Sequence, residues 1–119
     1  MNQIAAYQDN TVTTQSKGRL IVMLYDGAVK FMKLAISELE KGNYDTKGQY
    51  IAKAQNIINE LNAVLDMDAG GEIAVNLRKL YCFANTRLAE ANTQCDQQMI
   101  QEVISLMEEL NQGWKTIST

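Results

Sequence analysis

"LIVMLYDGAVKFMKLAISEL" runs from Leu20 to Leu39. On a helical wheel Asp26, Lys30, Lys33 and Ser37 fall on one stripe, continued by Arg19 before it and Lys41 after it. At about 100° per residue that stripe covers roughly 80°. Nearly all the rest is apolar until Glu38 and Glu40. A surface helix of a small domain buries a stripe a little over about 100° wide, so this helix carries more apolar surface than one seam can cover. A central position among three neighbouring helices would absorb the excess. Alternatively, part of the surface is a groove for a partner helix. The run is also as long as a membrane span, but Asp26, Lys30 and Lys33 sit in its middle. Each would cost about 2.5–3.5 kcal/mol on insertion, so a soluble helix without membrane insertion is expected.

Working outward, Ser16 is a candidate cap for this first helix, which is expected over about 17–41 and stops at Gly42. Residues 1–15, "MNQIAAYQDNTVTTQ", are polar with scattered apolar side chains and read as a mobile N-terminal arm. A second helix is expected over about 45–67, capped by Asp45, with Tyr50, Ile51, Ala54, Ile57, Ile58, Leu61, Val64 and Leu65 on one face. Gly70 and Gly71 break the chain. A third helix follows over about 72–94, with Ile73, Leu77, Leu80, Tyr81, Ala84, Leu88 and Ala91 facing the core. Asp96 caps a fourth over about 96–117, with Met99, Ile100, Val103, Leu106, Met107, Leu110, Trp114 and Ile117 on its apolar face. Four helices of similar length with short links predict an all-α, antiparallel four-helix bundle over 16–119.

Composition agrees. The 119 residues suffice for one core, 46% are hydrophobic, and proline is absent. The net charge of −3 gives no electrostatic case for nucleic acid. The charge is mildly uneven: residues 1–60 carry seven Lys/Arg against six Asp/Glu, and residues 61–119 four against eight. The start of the chain has neither a basic stretch nor an apolar core of signal type, so an intracellular, cytoplasmic location is expected.

The absence of histidine removes the commonest general base and the histidine-bearing metal sites, including the Glu-x-x-His pairs of di-iron bundles. Two cysteines cannot build a four-ligand zinc site, and no phosphate-binding glycine motif is present. Glu108 and Glu109 adjoin one another on a polar face, and Asp66 and Asp68 supply too few oxygens for calcium. No catalytic residue, cofactor or metal is therefore expected. Cys82 and Cys95 are 13 positions apart on one helix, roughly 20 Å by helical rise and beyond the roughly 7 Å a disulfide spans. Cys95 falls within the core arc and reads as structural, whereas Phe83 lies off it. Trp114 reads as an anchor for the end of the bundle.

These stretches, taken together, resemble the flagellar secretion chaperone family FliS. "LIVMLYDGAVKFM" is similar to its first-helix signature, an apolar run leading into Leu-Tyr-Asp-Gly at Leu24 to Gly27. "YQDNTV" (Tyr7–Val12) resembles the family's arm, and "KAQNIINEL" (Lys53–Leu61) its second helix. "GGEIAVNLRKLY" (Gly70–Tyr81), "RLAEAN", "QEVISLMEEL" and Trp114-Lys115 follow in family order. The chain departs from the pattern at "SKGRL", where the family has Ser-Pro and a polar or acidic residue, at Cys82, and at Thr86-Arg87.

The resemblance implies a chaperone that binds the disordered C-terminal segment of flagellin, prevents its premature polymerisation, and delivers it to the flagellar type III export apparatus. It leaves room for a co-chaperone or a regulator as further partner. Its client would bury an apolar face, with Ile4 and Tyr7 of the arm as a displaceable plug and Leu24, Phe31, Ile58, Leu61, Leu77 and Tyr81 as groove positions. The competing expectation is a structural or oligomerising bundle with no flagellin client, its surplus apolar face buried against its own copy.

Overall fold

In the computed structural model the Leu20–Leu39 stretch lies within α1 (Gln3–Glu40), followed by α2 (Tyr44–Ala63), α3 (Met67–Gln94) and α4 (Gln97–Ser118). The structure describes residues 3–118, with side chains from 17 to 116. The arm residues Ile4 and Tyr7, and the cap at Ser16, fall outside the described side chains.

Spacing fixes the packing. Among the described side chains of α1, Tyr25, Ala28, Val29, Met32 and Ala35 are buried. The apolar core residues of α2 are Ile51, Ala54, Ile58 and Leu61, and α3 contributes Tyr81, Ala84, Leu88 and Ala91. Steps of three and four residues recur in each, which is the pattern that seats side chains of one helix between those of a nearly parallel neighbour. From α4 come Ile100, Val103, Ile104 and Met107. The result is an antiparallel four-helix bundle in which α1 lies against α2 and α4, and α3 against the same two. The first helix thus has two neighbours rather than three, and the diagonal to α3 is closed by side chains. Its surplus is covered only partly. Ile21, Leu24, Phe31, Ile36 and Leu39 are half-buried against the core, while Leu20 and Met23 stay exposed.

Leu24-Tyr25-Asp26-Gly27 earns its compactness here. Successive helical residues turn by about 100°, so three neighbours in sequence address three different helices. Tyr25 donates to or accepts from Tyr81 of α3 across the core, the hydroxyls 2.6 Å apart. The Asp26 carboxylate accepts from Asn111 Nδ2 at 2.8 Å and faces the Lys115 ammonium at 3.6 Å, both on α4. Gly27 admits α2: a Cβ there would come within 3.3 Å of Ile57 Cδ1.

The helix ends follow local chemistry. α1 closes with Gly42 at φ 79°, its N–H on Leu39 O (3.0 Å) and the N–H of Asn43 on Glu38 O (2.9 Å). This is the double bond of a Schellman stop. α2 begins at Tyr44 after Asn43, with Asp45 in the first turn rather than at the cap. It ends at Ala63 rather than Met67, because Asp66 captures the next helix by accepting from Ala69 N at 2.9 Å. That starts α3 at Met67, before the glycines, and the break appears inside α3 as Gly71 at φ 55°, ψ −132°. Asp96 caps α4, accepting from Gln98 N and Met99 N.

Cys95 is a correction. It is exposed, and it closes α3 in the left-handed conformation at φ 52°, ψ 44°. The wheel that placed it in the core does not extend past the last helical turn. Asp96 N bonds Ala91 O (3.0 Å) and Cys95 N bonds Asn92 O (3.4 Å), repeating the glycine stop of α1 with a side chain in the strained position. Cys95→Gly is expected to raise unfolding free energy by about 0.5–1 kcal/mol, the relief of strain exceeding the extra entropy of an unfolded glycine; urea denaturation measures it.

The α2–α3 seam is held by polar rungs. Gln55 donates to Asn85 O (3.1 Å), Asn85 to Asn59 Oδ1 (2.7 Å), and Arg78 to Asn62 Oδ1 (3.2 Å). At its far end Lys47 is only 3% exposed, its ammonium donating to Asn92 O (2.9 Å) and Asn92 Oδ1 (2.6 Å). A cation on the final carbonyls of α3 is favourably placed with respect to the helix dipole.

Candidate functional site

At the end of the bundle where α2 passes into α3, the helices leave a cleft of about 280 Å³. α1 contributes Lys17 and Ile21. The α2 end and the link give Leu61, Val64, Leu65 and Asp66, α3 gives Gly70, Ile73, Ala74, Leu77 and Tyr81, and α4 gives Trp114. The wall is apolar, with Lys17 and Asp66 as its charged members.

The glycine break creates it. The core face of α3 continues upward through Leu77 to Ala74, which is 3% exposed, and not to Ile73, which is 72% exposed. The expected inward place of Ile73 is therefore corrected. Its side chain stands about 100° of helical turn away from Ala74, and the small Ala74 leaves the space that Ile73 would have filled. A Cβ at position 70 would come within 2.7 Å of Ala74 Cβ, so glycine lets the first turn of α3 fold down against the helix. Val64, at 46% exposure, joins Ile73 as a large apolar side chain left open here.

Tyr81 and Trp114 belong to the cleft wall, and Tyr25 lies behind them, fully buried. Burial pushes the Tyr81 and Tyr25 phenols up, and the Tyr81 hydroxyl is raised further by its hydrogen bond to Tyr25. Both remain neutral O–H groups at ordinary pH.

Of the groove positions expected from sequence, the structure brings Leu61, Leu77 and Tyr81 together in this wall. Ile58 is fully buried in the core, and Leu24 is half-buried against the core without lining the cleft. Phe31 lies on the α1–α2 seam, stacked on Tyr50 at 6.0 Å with the Lys53 ammonium 5.4 Å above its ring. Ile21, Val64, Leu65 and Trp114 were not read as groove positions. The signal that could have found Val64 and Leu65 was the early capping by Asp66, which cuts them from the end of α2.

Among the described residues no group of three or more His, Cys, Asp or Glu is placed to hold a metal ion. Glu108 is exposed and pairs with Lys33 at 3.3 Å. Among the described residues, no helix is long and apolar enough to cross a membrane. Cys82 and Cys95 are both free and exposed.

The family model "Flagellar protein FliS" matches residues 1–119. The chain belongs to the FliS family. It is similar to the flagellar secretion chaperone FliS of Salmonella typhimurium, 43% identical over 92% of this chain and 82% of that protein. FliS of Bacillus subtilis is 36% identical over 96% of this chain and 84% of its own length. Flagellar secretion chaperone FliSB of Pseudomonas aeruginosa is 36% identical over 99% and 97%. FliS is a chaperone family and not an enzyme family.

Proposed function

We propose that this FliS-family chain is a cytoplasmic export chaperone for flagellin. It binds the disordered C-terminal segment of the newly made subunit, keeps it from polymerising early, and hands it to the flagellar type III export apparatus. The observation that supports this most is the cleft with Ile73 open beside it. A chaperone for an unfolded segment has to offer apolar surface that its own core does not use, because ordering the client costs entropy that only a sizeable apolar contact offsets. Leu61, Leu77 and Tyr81 make the floor and walls, and Ile73 and Val64 the rim. Ile4 and Tyr7 are the proposed occupants between clients, reaching the cleft when the first turns of α1, which begins at Gln3, unwind. Lys17, in the cleft wall, is where the chain arrives from that arm. A co-chaperone or regulator would use other faces.

Titration calorimetry with a peptide covering the C-terminal segment of flagellin from the source organism tests the reading. One-to-one binding with a large negative heat-capacity change is expected, the mark of apolar burial coupled to folding. A folded protein that shows no binding and elutes as a stable dimer would replace this reading with the self-associating bundle.

A further inference from the structure

The apolar cleft carries two charged side chains of opposite sign, and only the anion is matched. Lys17 enters the wall from α1 and Asp66 from the α2–α3 link, and both side chains are exposed. The Asp66 carboxylate accepts from Ala69 N at 2.9 Å and stands at the start of α3, where the helix dipole favours negative charge. The Lys17 ammonium has no such arrangement. The ion pairs among the described residues join Lys33 to Glu108, Arg87 to Glu90 and Glu102, and Lys115 to Asp26, and none takes Lys17. Lys17 precedes Ile21 by four positions on α1, and both line the cleft. Residues so spaced share one helix face, so the ammonium belongs to the surface that a seated segment covers. An ammonium stripped of water without a counter-charge is costly.

We infer that Lys17 is a specificity residue: the client segment that fills the cleft carries an aspartate or glutamate at the edge of its apolar face, and that carboxylate pairs with the Lys17 ammonium. This rests on the chaperone reading and adds to it the charge chemistry of the client. An acidic residue three or four positions from an apolar one shares a helix face with it, so a helical client meets Ile21 and Lys17 together. The apolar rim selects for apolar segments in general; the carboxylate selects among them. It also sets their direction. Asp66 lies in another part of the wall, and a segment seated the other way round would bring its carboxylate towards that like charge, which repels it. A side chain makes this pair from a segment that runs on past the cleft, which the carboxylate at a chain end could not do.

The test removes the charge and keeps the apolar stem. Calorimetry with the flagellin C-terminal peptide is run on the wild type and on Lys17→Met, each checked for folding by circular dichroism. Lys17→Met is expected to bind about five- to tenfold more weakly. The sign decides, because an ammonium that merely bends out to water, as long basic side chains can, would make Lys17→Met bind as well as the wild type or more tightly. Replacing each aspartate of the peptide by asparagine and each glutamate by glutamine, one at a time, should find one position that costs the wild type the same factor and costs Lys17→Met nothing more. Amidating the peptide's terminal carboxylate should leave the affinity within about twofold. Unchanged or tighter binding by Lys17→Met, no coupled acidic position, or coupling to the terminal carboxylate alone overturns the inference and leaves the chaperone reading standing. No binding by the folded wild type overturns both.

Discussion

Ile58→Ala is expected to lower the stability of the bundle by about 2–5 kcal/mol, and its melting temperature by on the order of 10 °C. Ile58 is fully buried and sits within one core with Leu61, Tyr81, Leu88 and Met107. The loss has two parts: the transfer of the removed methyl and methylene groups, and the cavity left where a close-packed interior cannot collapse. Thermal and urea denaturation followed by far-ultraviolet circular dichroism measure it. The result bears on function as well, because the same residue was a candidate for the client groove. A loss below about 1 kcal/mol would show that Ile58 is not the core residue its burial indicates.

Ile73→Asp is expected to do the opposite. In the isolated protein the side chain is 72% exposed, and exposed substitutions away from special features change stability by about 0.5 kcal/mol or less. Against a client the same change removes an apolar contact worth about 1.5–3 kcal/mol when fully covered and puts a carboxylate where water is excluded. The affinity for the flagellin peptide should fall by roughly ten- to a hundredfold with an unchanged melting temperature. Calorimetry beside a thermal melt checks both halves. Undiminished binding would move the client to another face of the bundle.

These two residues also show where sequence was enough and where it was not. The bundle was legible because the steps of three and four repeat through Ile51, Ala54, Ile58 and Leu61 without interruption. The caps at Asp96 and the stop at Gly42 were legible because their chemistry is local. Ile73 was misplaced because a wheel gives direction without depth: it is in phase with Leu77 and Tyr81 on one unbroken run after Gly71, yet α2 already stops at Ala63 and Ile73 is left 72% exposed. Lys47 was passed over for a different reason: its type predicts solvent, and only the meeting of α2 with the carbonyl end of α3 gives a buried ammonium its partners. Asn111, buried at 4% exposure, was missed likewise, since its partner Asp26 lies 85 residues away in sequence. For the cleft, Leu61, Leu77 and Tyr81 were named, but Ile58 and Phe31 look the same on a wheel. Depth and seam cannot be separated from one helix at a time.

The three consecutive commitments of α1 have a mechanical consequence. Tyr25 is tied to α3, Asp26 to α4, and Gly27 is flush with α2. A helix held from three directions within one turn cannot roll about its own axis, since any rotation that eases one contact breaks another. It serves the bundle as a fixed axle. Whatever give the cleft has in receiving or releasing a segment must come from the other side, where the short link through Leu65 and Asp66 meets the bend at Gly71. Loading and unloading then leave the axle still, and the protein's yielding parts are confined to the dozen or so residues around that joint.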